Sequence, residues 1–447
     1  MSDPGAAKEC IAENAILRRI APHCIEETGG FFVSLPEDGL DFQDRFVQAC
    51  EEAGIPATVL SRDEALALEP SLNPNLLGAV QVPDGSIDPF RLVVGNALDA
   101  ERRGAKFLLH TEVTSLTREG DRIGEVRARD ILRGEEHSIR MSTLINATGA
   151  WANHFLKLAG LHIDLALSRG SMLISNKRLT RRVINRCRKP SDGDIVVPND
   201  TVSILGTTSI HSDQLENFEV PPHEVSLLIR ETAAMIPEIK TARFIRAYAG
   251  IRPLFQSEKK EDDRSISRGF SLIDHGERDG LQNVITITGG KFVTYRLMAE
   301  RTADLICQKM GISASASTHV TPLPKGGEGS SFRDRLRTFS TEKGETLCDC
   351  ELIKREEVER FLLVGKVKKP LDILHRTRLA KGTCQGGFCV YRLLGVLHDL
   401  DMADEDSNRI LRAFLEERWR GIRPVLWGVS VKEEEMIESI YKGLFNL

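Results

Sequence analysis

The sequence predicts a mixed α/β fold followed by a smaller, mostly helical segment. Three observations carry this expectation. Helical and strand-type periodicities alternate irregularly through the first 312 residues, small and flexible runs at Ser313–Ser317 and Pro322–Ser331 interrupt them, and beyond that break the apolar residues keep helical spacing. At 447 residues the chain suits two or three domains. The divisions expected are a main domain over 1–312, a linker over 313–346, a small cysteine-bearing domain over 347–400 and a helical tail over 401–447.

In chain order, helices are expected over Ala7 to Ile20 and Phe42 to Ala53, and short strands over Phe31 to Leu35 and Ala105 to His110, where β-branched and aromatic residues gather. Asp88-Pro89 reads as a helix start: Asp supplies the N-cap acceptor, Pro fits the first helical position, and Leu92, Val93 and Leu98 follow. Glu112 to Thr143 has the Gly and charged turns of a strand meander. Further strands are expected at Ser171 to Ser175, Ile195 to Pro198 and Val202 to Gly206, with a helix at Glu224 to Met235, so the main sheet should be mixed rather than doubly wound. Past the linker, helices are expected over Glu356 to Val364, Phe388 to Leu400 and Asn408 to Trp419.

Composition excludes several classes. Hydrophobic residues at 41% and charged residues at 28% rule out a disordered, collagen-like or coiled-coil chain. Sixty Lys+Arg against 65 Asp+Glu leave a formal charge of −5, so no global basic field recruits nucleic acid. No apolar run approaches the roughly 20 residues of a membrane-spanning helix, and MSDPGAAKEC lacks a signal peptide's basic-then-apolar order. A cytoplasmic protein is expected, with peripheral contact to a membrane left open. Nine cysteines thinly spread over a long chain fit reduced thiols.

Four of those cysteines cluster, as Cys348-Asp349-Cys350 and as Cys384 and Cys389 in CQGGFC. Two close pairs brought together by a fold supply the four thiolates of a 2Fe-2S cluster, and Gly382, Gly386 and Gly387 suit backbone passing close to it. Structural zinc is the competing reading, although its loops usually repeat Cys-x2-Cys, and four unligated thiols are another. Cys10, Cys24, Cys50, Cys187 and Cys307 read as core or surface residues, with Cys187 between two arginines a candidate low-pKa thiol.

Two junctions have the form of cofactor contacts. Leu144 to Gly149 reads as a buried strand ending at Gly149 and opening a helix near Trp151, an arrangement shared with ordinary strand-turn-helix units. Ile285 to Thr288, then Gly289-Gly290-Lys291 and a helix start near Phe292, would aim positive potential at one point, as suits a flavin ring that becomes anionic on reduction. No G-x-G-x-x-G follows a strand, so the usual dinucleotide fingerprint is lacking.

From Cys10 onward these segments resemble the large subunits of anaerobic, respiratory glycerol-3-phosphate dehydrogenases. The resemblance rests on VPDGSIDPFRL (Val82 to Leu92), INATGAWA (Ile145 to Ala152), VINRCRKPSDGDIVVP (Val183 to Pro198), GTTS (Gly206 to Ser209), RAYAGIRPL (Arg246 to Leu254), ITGGKFVTYRLMAE (Ile287 to Glu300), TCQGGFC (Thr383 to Cys389) and ERWRG (Glu417 to Gly421), in order across the chain. It implies a D-amino-acid oxidase-like flavoprotein with a C-terminal 2Fe-2S domain of the bacterioferritin-associated ferredoxin type. It implies FAD and a 2Fe-2S cluster as cofactors, with electrons leaving through partner subunits to quinone. The family carries roughly sixty more residues ahead of this start, with the glycine-rich pyrophosphate loop, so the expectation is an N-terminally truncated flavin domain that retains little FAD.

Carried onto this chain, the resemblance makes Ala147, Gly149, Trp151, Gly289, Gly290, Lys291 and Thr294 cofactor contacts and Cys348, Cys350, Cys384 and Cys389 cluster ligands. Arg252 becomes the first phosphate ligand, since guanidinium binds phosphate bidentately, and Arg268 the second; Lys291 would polarise the substrate hydroxyl. Without the resemblance both arginines would read as solvated or salt-bridged. Aerobic relatives have a His after a Gly-Ser pair, whereas Met172 follows Gly170-Ser171 here, so no catalytic His is named. The leading expectation is oxidation of glycerol 3-phosphate to dihydroxyacetone phosphate. The alternatives are an inactive remnant, an iron-sulfur subunit that only binds partners, or a flavin oxidoreductase of an amino or hydroxy acid.

Overall fold

The computed structural model describes residues 4–216, 218–255, 269–325, 332–339, 341, 343–364, 370–402 and 407–447. Among them the largest sheet has nine strands and is mixed. Its longest pairing is antiparallel, Leu165–Ser175 against Phe244–Phe255. From Leu165–Ser175 the sheet continues through Val202–Gly206, Ile195–Asn199 and Val183–Arg186 to Gly30–Ser34, Gly78–Val82 and Thr58–Ser61. The Val183–Arg186 and Gly30–Ser34 strands pair in parallel.

One face of this sheet is covered by helix Pro222–Met235. Its Val225, Leu228, Thr232 and Met235 recur at three- and four-residue steps, and all are buried. Val225, Leu228 and Met235 pack with Leu173, Ile184, Val196, Leu205 and Ala247 of the strands. Each large apolar side chain so removed from water contributes about 1.5–3 kcal/mol, and Leu228→Ala would open the layer at a cost of about 2–5 kcal/mol. Because Leu173 and Ala247 point to the helix, strand alternation turns Met172, Tyr248, Gly250 and Arg252 to the other face.

A second sheet of three strands, Phe270–Asp274, Val284–Gly289 and Leu144–Asn146, lies beside the first. Its last two strands run parallel, with Thr286 opposite Asn146, so both suspected cofactor junctions leave the same end of one sheet. The Glu112 to Thr143 meander is present as Thr111–Glu119, Arg122–Asp130 and Glu136–Arg140. Asp88 caps helix Pro89–Arg102 as its sequence requires, accepting from the N–H of Phe90 at 3.0 Å and of Arg91 at 3.2 Å.

Four expectations need correction. Ala105 to His110 forms no strand: Phe107, Leu108 and Leu109 are exposed, and strand propensity without a partner backbone does not make a ladder. The strand before Gly149 stops at Asn146, whose side chain takes the Thr148 N–H and hydroxyl, and Ile145 on this sheet edge is 43% exposed rather than buried. The stretch expected to be linker carries a helix, Phe332–Thr338. Cys187 is buried, and burial raises its thiol to about 11, the reverse of a reactive low-pKa cysteine.

The C-terminal region has its own core. Leu347, Val358, Ile373, Leu393, Leu411, Phe414, Ile437 and Tyr441 bring helices Arg355–Val364, Pro370–Thr377, Cys389–Asp399, Ser407–Ile422 and Val429–Phe445 around one apolar centre. Buried polar contacts tie this unit to the main domain. Arg378 donates to Asp88 and to Glu351, each at 2.9 Å, and the His375 ring stacks on Phe90 with centroids 5.2 Å apart. No helix of the described residues is long and apolar enough to cross a membrane.

Candidate active site

Arg252 stands on the open face of the main sheet, directly across from Ser168, with Gly250 across from Gly170 and Tyr248 across from Met172. Its guanidinium donates to Thr207 Oγ1 at 2.7 Å and to the Thr208 carbonyl at 3.3 Å. It lies over Gly170, where any β-carbon would overlap it. The glycine at 170 is therefore what lets the arginine reach the 207–208 loop.

That loop is anchored from beneath, on the helix-covered face. Glu224, buried in helix Pro222–Met235, pairs with Arg169 and accepts from the hydroxyls of Ser171 at 2.6 Å and Thr208 at 2.8 Å. The Thr208 hydroxyl in turn accepts from the Ser171 N–H at 2.9 Å. A buried charge so fully bonded holds one conformation, and the conformation it holds presents Thr207 and Thr208 to Arg252.

The two cofactor-type junctions converge as the parallel register requires. Gly149 has φ +59°, a left-handed turn that favours glycine, with no atom within 4 Å of where a β-carbon would stand. Asn146 holds this turn closed, donating to the Ala152 carbonyl at 3.1 Å and accepting from the Thr148 hydroxyl at 2.6 Å. Gly289 and Gly290 both have φ +76°, and a β-carbon on Gly289 would meet the Gly269 carbonyl at 2.9 Å. Ala147, Trp151 and Lys291 are exposed at this end of the sheet. Thr294 is buried, and its hydroxyl donates to the Lys291 carbonyl at 2.9 Å, so its visible work is to shape the turn. Arg268 lies outside the described residues.

All four clustered cysteines lie in the C-terminal unit, as two pairs. Cys348 ends the strand Thr346–Cys348, Cys389 begins helix Cys389–Asp399, and the two thiols are close enough to perturb each other's titration, as are those of Cys350 and Cys384. The bond from Cys384, a backbone donor at 384 and the Thr383 hydroxyl together hold the Cys350 thiol down to about 5 against the burial that opposes them. The paired thiol and then burial push Cys384 and Cys389 up. In this paired form no set of three or more His, Cys, Asp or Glu among the described residues is closed into a metal cage. Gly382 passes so near Cys350 that a β-carbon there would overlap it. Arg418 donates to the carbonyls of Cys384 and Gln385, each at 3.1 Å, fixing the cysteine loop from the tail.

Sequence reasoning passed over Tyr248 and the Thr207–Thr208 anchor. For Tyr248 the signal was present: alternation in RAYAGIRPL puts Arg246, Tyr248, Gly250 and Arg252 on one face. Glu224 and Arg169 gave none, since their pairing joins residues 55 apart.

Residues 5–305 match the FAD dependent oxidoreductase family. The chain is 42% identical to the A subunit of the anaerobic glycerol-3-phosphate dehydrogenase of Escherichia coli K12, over all of this chain and 87% of the relative. The chain belongs to this family. It is also 36% identical to the A1 subunit of the anaerobic glycerol-3-phosphate dehydrogenase of Haloferax volcanii, over all of this chain and 82% of the relative. In fold it is similar to the glycerol-3-phosphate dehydrogenase of Bacillus halodurans complexed with FAD, with a TM-score of 0.65 and 20% identity over 95% of this chain and 87% of that one. The fold is thus the mixed α/β one of FAD-dependent oxidoreductases, with a helical C-terminal region added, as expected.

Proposed function

We propose that the chain oxidises sn-glycerol 3-phosphate to dihydroxyacetone phosphate, using FAD, with electrons leaving through a 2Fe-2S cluster and partner subunits to quinone at the cytoplasmic face of a membrane. The observation that carries the reading is Arg252, a guanidinium positioned by Thr207 and Thr208 on an open sheet face, in a chain whose family relatives are named for this substrate.

The residues present fit both groups. Gly149 and Gly289-Gly290 leave the ends of adjacent parallel strands in left-handed turns that favour glycine, and a side chain on Gly289 or Gly290 would also be crowded; such strand ends are where α/β folds receive a cofactor. Ala147, Trp151 and Thr294 frame these turns, and Lys291 would place its positive charge beside a reduced flavin. When bound, FAD supplies the hydride acceptor. For the cluster, Cys348 with Cys389 and Cys350 with Cys384 offer two thiol pairs, and Gly382, with no side chain of its own, leaves Cys350 its place beside the backbone.

The chain's own part is to bind and orient. Arg252 would take the substrate phosphate by two parallel charge-assisted hydrogen bonds, with Arg268 as a second cation, and so fix the position of the carbinol carbon. Lys291 would polarise the hydroxyl on that carbon. The test is anaerobic mixing of the flavin-loaded protein with glycerol 3-phosphate, followed by flavin absorbance. The unaltered protein should bleach, and Arg252→Ala should lose at least about tenfold in kcat/KM at constant flavin content. An unchanged kcat/KM would remove Arg252 from the site.

A further inference from the structure

Gly250 lies in the middle of strand Phe244–Phe255, where glycine costs stability and needs a reason. The usual reasons do not apply. Its φ lies outside the left-handed range, and a β-carbon built on it meets no described residue within 4 Å. Its cross-strand partner Gly170 is explained by the Arg252 guanidinium above it; Gly250 is explained by no neighbour among the described residues. A mid-strand glycine under open space is a place where a ligand approaches the backbone.

The flanking side chains have complementary chemistry. On one side is Arg252; on the other is Tyr248, whose hydroxyl donates to the Met172 sulfur at 3.0 Å. A thioether is a weak acceptor, so an oxygen offered by a ligand would be the better partner for that hydroxyl. Tyr248 is 37% exposed, yet packing of its ring still raises the phenol above its ordinary value, so it is a neutral donor rather than a base. Tyr248 and Arg252 are four residues apart, about 13 Å along a strand, a span that their side chains and a short phosphorylated polyol close between them.

We propose that Gly250 and Tyr248 determine substrate size: the carbon chain lies over Gly250, its phosphate on Arg252, and a hydroxyl at its far end accepts from Tyr248 in place of the Met172 sulfur. The proposal rests on the functional reading above. It makes the two residues a ruler for a three-carbon polyol phosphate, since a longer chain meets Tyr248 and a bare phosphate does not reach it.

The test is calorimetric titration of the full chain with two probes, sn-glycerol 3-phosphate and inorganic phosphate. Gly250→Val fills the open space with a side chain that strands favour, so its melting temperature should equal or exceed that of the unaltered protein. Its affinity for glycerol 3-phosphate should fall at least about tenfold, and its affinity for inorganic phosphate should stay within about twofold, because the Arg252 end is untouched. Tyr248→Phe should weaken glycerol 3-phosphate about three- to tenfold, again sparing phosphate. Arg252→Ala should weaken both probes. Full glycerol 3-phosphate affinity in Gly250→Val, or an equal loss for the two probes, would overturn the proposal. If the unaltered protein binds neither probe, the functional reading itself falls and this inference with it.

Discussion

The guanidinium of Arg252 occupies the space where a side chain on Gly170 would begin, although the two residues are on different strands. Gly170→Ala should therefore act as an Arg252 variant without touching the arginine. The displaced guanidinium loses the Thr207 hydroxyl and Thr208 carbonyl, so KM for glycerol 3-phosphate should rise about tenfold while the fold loses only about 1–3 kcal/mol. Steady-state kinetics with a parallel melting curve check this, and an unchanged KM would mean that Arg252 binds substrate from another pose.

If the four cysteines hold a 2Fe-2S cluster, anaerobically purified protein should contain about two irons and two acid-labile sulfides per chain, and Cys384→Ser should lower both. Stoichiometric zinc without sulfide would replace this assignment with a structural metal. Cys187→Ser serves as the control, since that thiol lies in the core formed with Phe46 and Val80, away from the cysteine pairs.

What the sequence revealed was mostly local. The Asp88 cap, the Val202–Gly206 strand and the paired glycines before Lys291 are each written in consecutive residues, and each stands where the sequence puts it. The Ser171 to Ser175 strand begins earlier, at Leu165, because Arg169 and Gly170 break the apolar alternation while the long partner Phe244–Phe255 still holds the backbone. Non-local terms stayed hidden. Ala105 to His110 has strand composition but no partner, and nothing in RAYAGIRPL states that Arg252 will rest on residue 170. Arg378 and Asp88 are 290 positions apart, so their pairing had no sequence signature at all.

That pairing should be costly to break. Arg378 is held between Asp88 and Glu351, both largely buried, and the two carboxylates together raise the pKa of the guanidinium against its burial. Burial pushes Asp88 up, but Arg378 and Arg91 outweigh it and leave the carboxylate below its ordinary range; at Glu351 burial wins and the carboxyl sits above it. Arg378→Met would leave two buried carboxylates without their shared cation and should cost about 3–5 kcal/mol in urea unfolding. Adding Glu351→Gln should recover part of that loss. A single variant as stable as the unaltered protein would show that water reaches the carboxylates.

The pH dependence contributed by Lys381 has the reverse sign of an ion-paired lysine's. The Lys381 ammonium lies 3.0 Å from the Phe90 ring centroid and has no hydrogen-bond partner among the described residues. Burial lowers its pKa from 10.5 to about 7, with Asp88 and Glu351 opposing and Arg378 and Arg91 assisting. Between those two values the unfolded chain binds a proton that the folded chain does not, so this group makes stability rise with pH from about 7 towards 10.5, by at most about 1.4 kcal/mol per pH unit. Below about pH 7 the lysine is charged in both states, and its full burial cost is present. Buried thiols pull the other way at higher pH: Cys24, raised to about 12, and Cys187, raised to about 11, lose stability above their ordinary value of 9.0. The informative window is therefore pH 7 to 8.5, with Lys381→Met as the reference, since every other titrating group is common to both proteins. Urea unfolding should find the variant more stable at pH 7, with the advantage shrinking as pH rises; a gap that does not change with pH would mean that Lys381 stays charged in the fold, sustained by Asp88, Glu351 and the face of Phe90.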